Sequence, residues 1–315
     1  MTDPAAEPSP VPTGAPGASA GADASGSTAM VARLRAAGCV FAEEEAEHLL
    51  EAAAGAGARL EELVRRRVAG EPVETLVGWV DFCGLRVGVR PGVFVPRQRS
   101  ALLVDTAARV VRSAGQRGQE SCVADDTRER AGARVVVDLC CGAGALGLAV
   151  VTRLAEAGIT EAGAVDLELH AADVDPVAVA CAGENLTRAE EARVRAFVHE
   201  GDLFDALPRR LRGRVDVLVA SPPYVPTDRI ALMPSEARDH EPWHTLDGGA
   251  DGLDPARRIG GEAADWLAPD GIVAVETGPA QAPVLARGFE QDGFAVEVVT
   301  DEETGGAVVL GRRRN

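Results

Sequence analysis

The chain of 315 residues is 46% hydrophobic and 3% aromatic, with a net charge of −17 in which all 32 basic residues are arginine. That length and apolar content support a main domain of ordinary size plus a small one. No run approaches the ~18 uninterrupted apolar residues of a membrane span. The N-terminus lacks a basic start followed by an apolar core, so no secretory signal is read. The acidic balance argues against non-specific nucleic-acid binding, which needs basic groups to displace counterions. A cytoplasmic monomer without membrane or nucleic-acid partners is expected.

Residues 1–27 are Pro, Ala, Gly and Ser with a few acids and are expected to be a disordered tail, since so little apolar surface does not offset ordering entropy. Residues 28–72 read as a small helical domain. Ser27 and Thr28 are candidate caps. Leu, Val and Ala then recur at three- and four-residue spacing, and glycines Gly38, Gly55 and Gly70 stand where each helix would stop. Residues 73–96 switch period: "FCGLRVGV" alternates around a glycine and "PG" marks a turn, which predicts a β-hairpin linker. A helix is predicted over about 100–113, then a polar, glycine-bearing loop over 113–133.

From residue 134 short apolar runs alternate with helical stretches up to the fifth run. Strands are predicted at 134–140, 167–174, 195–202, 215–221, 271–278, 294–301 and 306–313. The alternation implies an α/β fold, a doubly wound and mostly parallel sheet with right-handed crossovers. The last two strands have no helix between them and are expected to pair antiparallel at one edge. That combination suits the Rossmann-like class I methyltransferase arrangement, and residues 97–315 are expected to form such a domain.

In such a sheet ligands bind at the carboxyl ends of the strands. The first strand runs into Cys140, Cys141, Gly142, Ala143 and Gly144, where glycines permit close backbone approach before a helix N-terminus. A plain strand-to-helix turn is the alternative. Cys140 stands at the first glycine of the G-x-G-x-x-G pattern, so the hydride-cofactor fingerprint fits poorly. After the second strand, Asp173 or Asp175 is placed to accept ribose hydroxyls. Asp173 ends the apolar run, whereas Asp175-Pro176 looks like a helix start. After the third, Asp202 is a candidate acceptor for an adenine amine, with Leu203 and Phe204 flanking the ring.

The fourth strand ends in Ser221-Pro222-Pro223-Tyr224, and Tyr224 is the only tyrosine of the chain. Both prolines fix φ, and Pro222 offers no N–H. The carbonyls around it are left without ladder partners. A planar NH₂ group fits here, its protons donated to the Ser221 side chain and the Pro222 carbonyl and its plane covered by Tyr224. Such a grip frees the nitrogen lone pair for attack on an electrophilic methyl without a strong base. The six cysteines (Cys39, Cys83, Cys122, Cys140, Cys141, Cys181) form no CxxC pair and no metal spacing, so reduced thiols and no metal are expected. His48, His240 and His244 read as surface or packed histidines.

The tetrad resembles the (N/D/S)PP(Y/F/W) motif of amino-group methyltransferases that use S-adenosylmethionine. "PVETLVGWVDFCGLRVGVRPGVFVPR", "DHEPWHTLDGGADGLD" and "LAPDGIVAVETGPAQ" are similar to segments of the HemK/PrmC family of protein glutamine-N5 methyltransferases, over roughly residues 28–315. The resemblance implies a pocket for S-adenosylmethionine, with S-adenosylhomocysteine as product, lined by Gly142, Gly144, Asp173, Asp202 and Leu203. It implies that Ser221, Pro222, Pro223 and Tyr224 grip the glutamine carboxamide, and that the helical domain docks the protein substrate, a release factor or another translation-related protein. The family usually has Asn at Ser221, and its "PRPET" reads "PRQRS" (Pro96 to Ser100). These departures point to a divergent subgroup. A nucleic-acid methyltransferase acting on an exocyclic amine also suits the serine, but it requires a basic target-recognition region. A cofactor-binding protein without turnover is the third reading.

Overall fold

In the computed structural model, described over residues 20–120, 133–157, 167–192 and 194–314, the chain divides into two compact units, Met1–Val73 and Glu74–Asn315. The first unit holds helices α1 (Ala20–Ala36), α2 (Ala42–Ala53) and α3 (Gly57–Val68). Leu34, Leu49 and Val64 are buried in it. Arg67 donates to Glu45 through Nε (2.6 Å) and Nη2 (3.0 Å), a bidentate pair inside the unit. Helix α1 begins at Ala20, so Ser27 and Thr28 lie within it and do not cap it. The rest of the expected tail, residues 1–19, lies outside the described residues.

The hairpin is shorter than the predicted span of 73–96. Helix α4 (Val73–Val77) comes first, then β1 (Trp79–Phe82) and β2 (Leu85–Gly88) pair antiparallel. Two residues join them, Cys83 and Gly84, at φ 52° and 80°, which suits a tight hairpin turn. Val73 and Leu76 bury as a helical turn, and Pro91 and Pro96 cannot donate to a longer ladder. Helix α5 (Ala101–Glu120) also outruns its predicted end. Gln and Arg are good helix formers, and an interior glycine costs only ~1 kcal/mol, so the polar stretch after 113 does not stop it. Residues 121–132 of the expected loop lie outside the described residues.

The main sheet comprises β3 (Arg134–Leu139), β4 (Leu167–Asp173), β5 (Val194–Glu200), β6 (Val215–Ala220), β7 (Leu267–Thr277), β8 (Phe294–Asp301) and β9 (Gly306–Arg313), in the order β5-β4-β3-β6-β7-β9-β8. Pairing is parallel from β5 to β7, and β9 runs antiparallel to both neighbours. The antiparallel pair sits at one end of the sheet, as the missing helix predicts. Strand β7 starts at Leu267, earlier than expected, because Val215 pairs with Leu267 before a register shift brings Val217 opposite Ile272.

Both faces of the sheet are covered. Helices α5, α6 (Ala145–Glu156) and α7 (Pro176–Leu186) pack on one face through residues such as Leu103, Val151 and Ala182. Helices α9 (Asp254–Trp266) and α10 (Ala282–Gln291) cover the other with Ile259, Trp266, Leu285 and Phe289. On β3, Val136 enters the first core while Val135, Val137 and Leu139 enter the second, so the strand reads as a continuous apolar run. The chain leaves β3 toward β4 and β5, then returns on the other side as β6. That reversal opens a crevice at the carboxyl ends of the strands, the usual position for a ligand in this architecture.

Candidate functional site

A cavity of about 280 Å³ occupies the crevice. One half is built by the loops after β3, β4 and β5. Cys140, Gly142 and Gly144 all take positive φ (55°, 53° and 77°). The loop is tied to the end of β4, where Cys141 N–H donates to the Ala172 carbonyl (3.1 Å) and Gly142 N–H to Asp173 Oδ2 (2.8 Å). Any Cβ at Gly144 would stand 3.2 Å from Ala182 Cβ, so glycine lets α6 pack closely on α7. Cys140 holds a left-handed conformation that costs an L-residue about 1 kcal/mol. Burial, reinforced by the Asp173 charge, pushes its thiol far above the usual range, and burial does the same to Cys141, so both stay neutral. Behind the loop, Asp138 is fully buried; its Oδ2 accepts from Gly147 N–H (2.8 Å) and its Oδ1 has no partner. Burial raises this carboxyl to about 7.

The two candidate aspartates after β4 have different work. Asp175 caps α7, accepting from Val177 N–H (2.8 Å), and its other oxygen lies 3.4 Å from His244 Nε2. Asp173 lines the cavity, one oxygen on Gly142 N–H and the other on Asp175 N–H (3.0 Å). After β5, Leu203 lines the cavity, whereas Phe204 does not. Phe204 stacks on Trp266 in the core, centroids 5.4 Å apart, which removes it from the ring-flanking role read from the sequence. Asp202 lines the cavity but its carboxylate is held by Arg258 in a bidentate pair (3.1 and 2.8 Å).

The other half is the loop after β6. Ser221, Pro222, Pro223 and Tyr224 all line the cavity. Among the described residues, no backbone N–H donates to the Ser221 or Pro222 carbonyl. The segment after α8 (Ser235–His240) straps this loop in place. Val225 N–H donates to the Leu246 carbonyl (3.0 Å), and Gly248 N–H to the Val225 carbonyl (2.9 Å). Gln281 Nε2 donates to the carbonyls of Tyr224 (2.9 Å) and Asp251 (2.8 Å). Gly252, at φ 76°, passes so close that a Cβ would sit 2.3 Å from the Tyr224 carbonyl.

The phenol meets an ion pair whose carboxylate is buried and whose guanidinium is part-exposed. Tyr224 Oη donates to Glu276 Oε1 (3.3 Å), and Arg99 Nε stands 3.5 Å from the same oxygen. The Arg99 guanidinium carbon is 5.6 Å from the Tyr224 ring centroid. Burial and the Glu276 charge push the phenol well above its ordinary value, so it remains a neutral donor. At the mouth, Arg97 pairs with buried Glu241, whose carboxyl is raised by burial despite that partner.

Arg97, Arg99, Glu241, Glu276 and Gln281 carry no role in the sequence reading. "PRQRS" and "VETGPAQ" contain four of them, and the family-like strings were the only trace. Among the described residues there is no His, Cys, Asp and Glu cluster that would hold a metal, and no helix long and apolar enough to cross a membrane.

A protein-family model described as methyltransferase small domain matches residues 124–233. The release factor glutamine methyltransferase of Geobacter sulfurreducens is 32% identical over 251 residues, covering 80% of this chain and 76% of that protein. Its namesake from Gloeobacter violaceus is 34% identical over 235 residues, covering 74% and 71%. The protein of that name from Streptomyces coelicolor is 34% identical over 239 residues, covering 76% and 74%. Relatives this similar over most of both chains, on this sheet and with this tetrad, place the chain in the release factor glutamine methyltransferase family of S-adenosylmethionine-dependent enzymes.

Proposed function

We propose that this chain methylates the side-chain amide nitrogen of a glutamine in a protein, with a peptide release factor as the substrate, the target named for its relatives. One observation carries the reading: the SPPY loop and the glycine-bearing loop after β3 face a common cavity.

The residues fit the cofactor. Each Asp173 oxygen already accepts one N–H and keeps a lone pair for a ribose hydroxyl. Leu203 supplies an apolar wall, and the loop from Cys140 to Gly144 brings backbone against the ligand. Arg258 competes for the Asp202 carboxylate, so a contact from that group to an adenine amine requires Arg258 to yield. When bound, S-adenosylmethionine supplies a sulfonium methyl as the electrophile.

On the other side, the Ser221 hydroxyl and the Pro222 carbonyl accept the two amide protons. The Tyr224 ring covers the amide plane. The lone pair of an amide nitrogen is normally delocalised into its carbonyl; anchoring both protons favours the geometry in which it points at the methyl. The helical first unit, with Val40 and Phe41 exposed, is assigned to docking of the protein substrate.

The test is methyl transfer from labelled cofactor to a purified release factor, with single-stranded DNA in parallel. Mass spectrometry is expected to find the methyl on a glutamine side chain. Label in the DNA, or none in any protein, overturns the reading.

A further inference from the structure

We infer that Arg99 and Glu276 are positioning residues for this reaction: the guanidinium neutralises the carboxylate that anchors the Tyr224 phenol, and the pair thereby fixes the plane of the ring against which the target amide lies. This rests on the glutamine-methyltransferase reading above.

The observations are geometric. Glu276 sits near the end of β7, 2% exposed, in the strand that pairs with β6 just before the tetrad. A carboxylate in that position is expensive to keep charged unless a cation stands by it. Arg99 is placed to be that cation, since its Nε lies 3.5 Å from Glu276 Oε1. The same oxygen accepts from the phenol at 3.3 Å. So one carboxylate oxygen bridges a guanidinium and the chain's single tyrosine. The second oxygen, Oε2, and Arg99 Nε are buried without a hydrogen-bond partner. The cluster is therefore held by charge and by the phenol rather than by a complete hydrogen-bond network, and removing the Arg99 charge leaves the buried Glu276 carboxylate uncompensated, whereas the part-exposed Arg99 keeps solvent.

The arrangement fixes Tyr224 at both ends. Gln281 Nε2 holds its backbone carbonyl (2.9 Å), and Glu276 holds its hydroxyl. Neither Arg99 nor Glu276 need touch the substrate for this. Arg99 also occupies the place where the family's "PRPET" pattern carries its acid.

Because Tyr224 is the only tyrosine, ring-labelled ¹³Cζ-tyrosine gives one resonance that reports this cluster without any turnover. That resonance is compared in the full-length wild type, Arg99→Met, Glu276→Gln and the paired Arg99→Met/Glu276→Gln variant, and kcat and the KM for S-adenosylmethionine are measured alongside. Arg99→Met is expected to move the resonance and lower kcat about 10-fold with the cofactor KM within about 2-fold, the signature of lost orientation and not of lost cofactor binding. The paired variant removes both charges, and Gln keeps an acceptor for the phenol. It is expected to return the resonance toward its wild-type position and to recover kcat to within about 3-fold. A resonance unmoved by Arg99→Met, or a paired variant no better than the single one, overturns the inference. A wild type that shows the expected resonance pattern but transfers no methyl to glutamine sinks the substrate reading and leaves the support of the ring established.

Discussion

The two halves of the cavity are built by different means. On the side assigned to the cofactor, the contacts are short-range: backbone N–H groups of Gly142 and Asp175 meet the carboxylate of Asp173 at the end of the neighbouring strand. On the side assigned to the amide, the loop is held from outside by Gln281, by the strap at 246–252 and by the Arg99–Glu276 pair. The first half is shaped by the turn itself. The second is a rigid proline loop whose aim depends on the backbone of the strap and on the side chains of Arg99, Glu276 and Gln281. On the proposed function, cofactor binding and catalysis are expected to depend on largely different residues.

The sharpest test of that separation is Tyr224→Ala. It is expected to lower kcat by roughly 10²–10³-fold, the scale for losing one preorganised transition-state contact, while calorimetry finds cofactor affinity little changed. A parallel loss of cofactor affinity would merge the two halves. Next comes Gly252→Ala, which drives a Cβ to 2.3 Å from the Tyr224 carbonyl at a positive φ. Strain of this kind costs of order 1–3 kcal/mol, read as a lowered melting temperature together with reduced turnover. A variant as stable and active as wild type shows that the strap does not aim the loop.

Asp173→Ala probes the opposite half. Affinity for S-adenosylmethionine is expected to fall about 10-fold, or about 1.4 kcal/mol, with kcat at saturating cofactor nearly retained. Unchanged affinity would move the ribose contact to Asp175, whose carboxylate now caps α7.

The smallest effect concerns Asp138. Its folded carboxyl, at about 7, stands above the ordinary 3.8. The folded state thus binds the proton more tightly than the unfolded one. The contribution to stability is complete below about pH 4 and is lost as pH rises through about 7. The melting temperature of the wild type relative to Asp138→Asn is expected to decline across that window, and a difference that is flat or rising with pH contradicts the assignment.

Much of this architecture was readable in the linear pattern. Strands β3, β6 and β9 announce themselves as apolar runs because the middle of a sheet covered on both faces leaves polar residues few places along them, while the edge strands β5 and β8 alternate exposed with buried or half-buried residues. The ends of the strands then identify Asp173, Leu203 and the SPPY tetrad, since ligands gather at the carboxyl edge. Helix limits were less legible. Local propensity differs little between a polar helix end and a loop, which is why α5 extends past 113 and α1 begins at Ala20.

The pairings behind the site left no periodic mark. Tyr224 meets Glu276 across 52 residues, Asp202 meets Arg258 across 56, and Arg97 meets Glu241 across 144. Short-range forces decide where a strand starts and what turn ends it, so composition and spacing record them. Which charged side chain answers which depends on how the crossovers lay distant strand ends side by side, and that is decided when the sheet assembles.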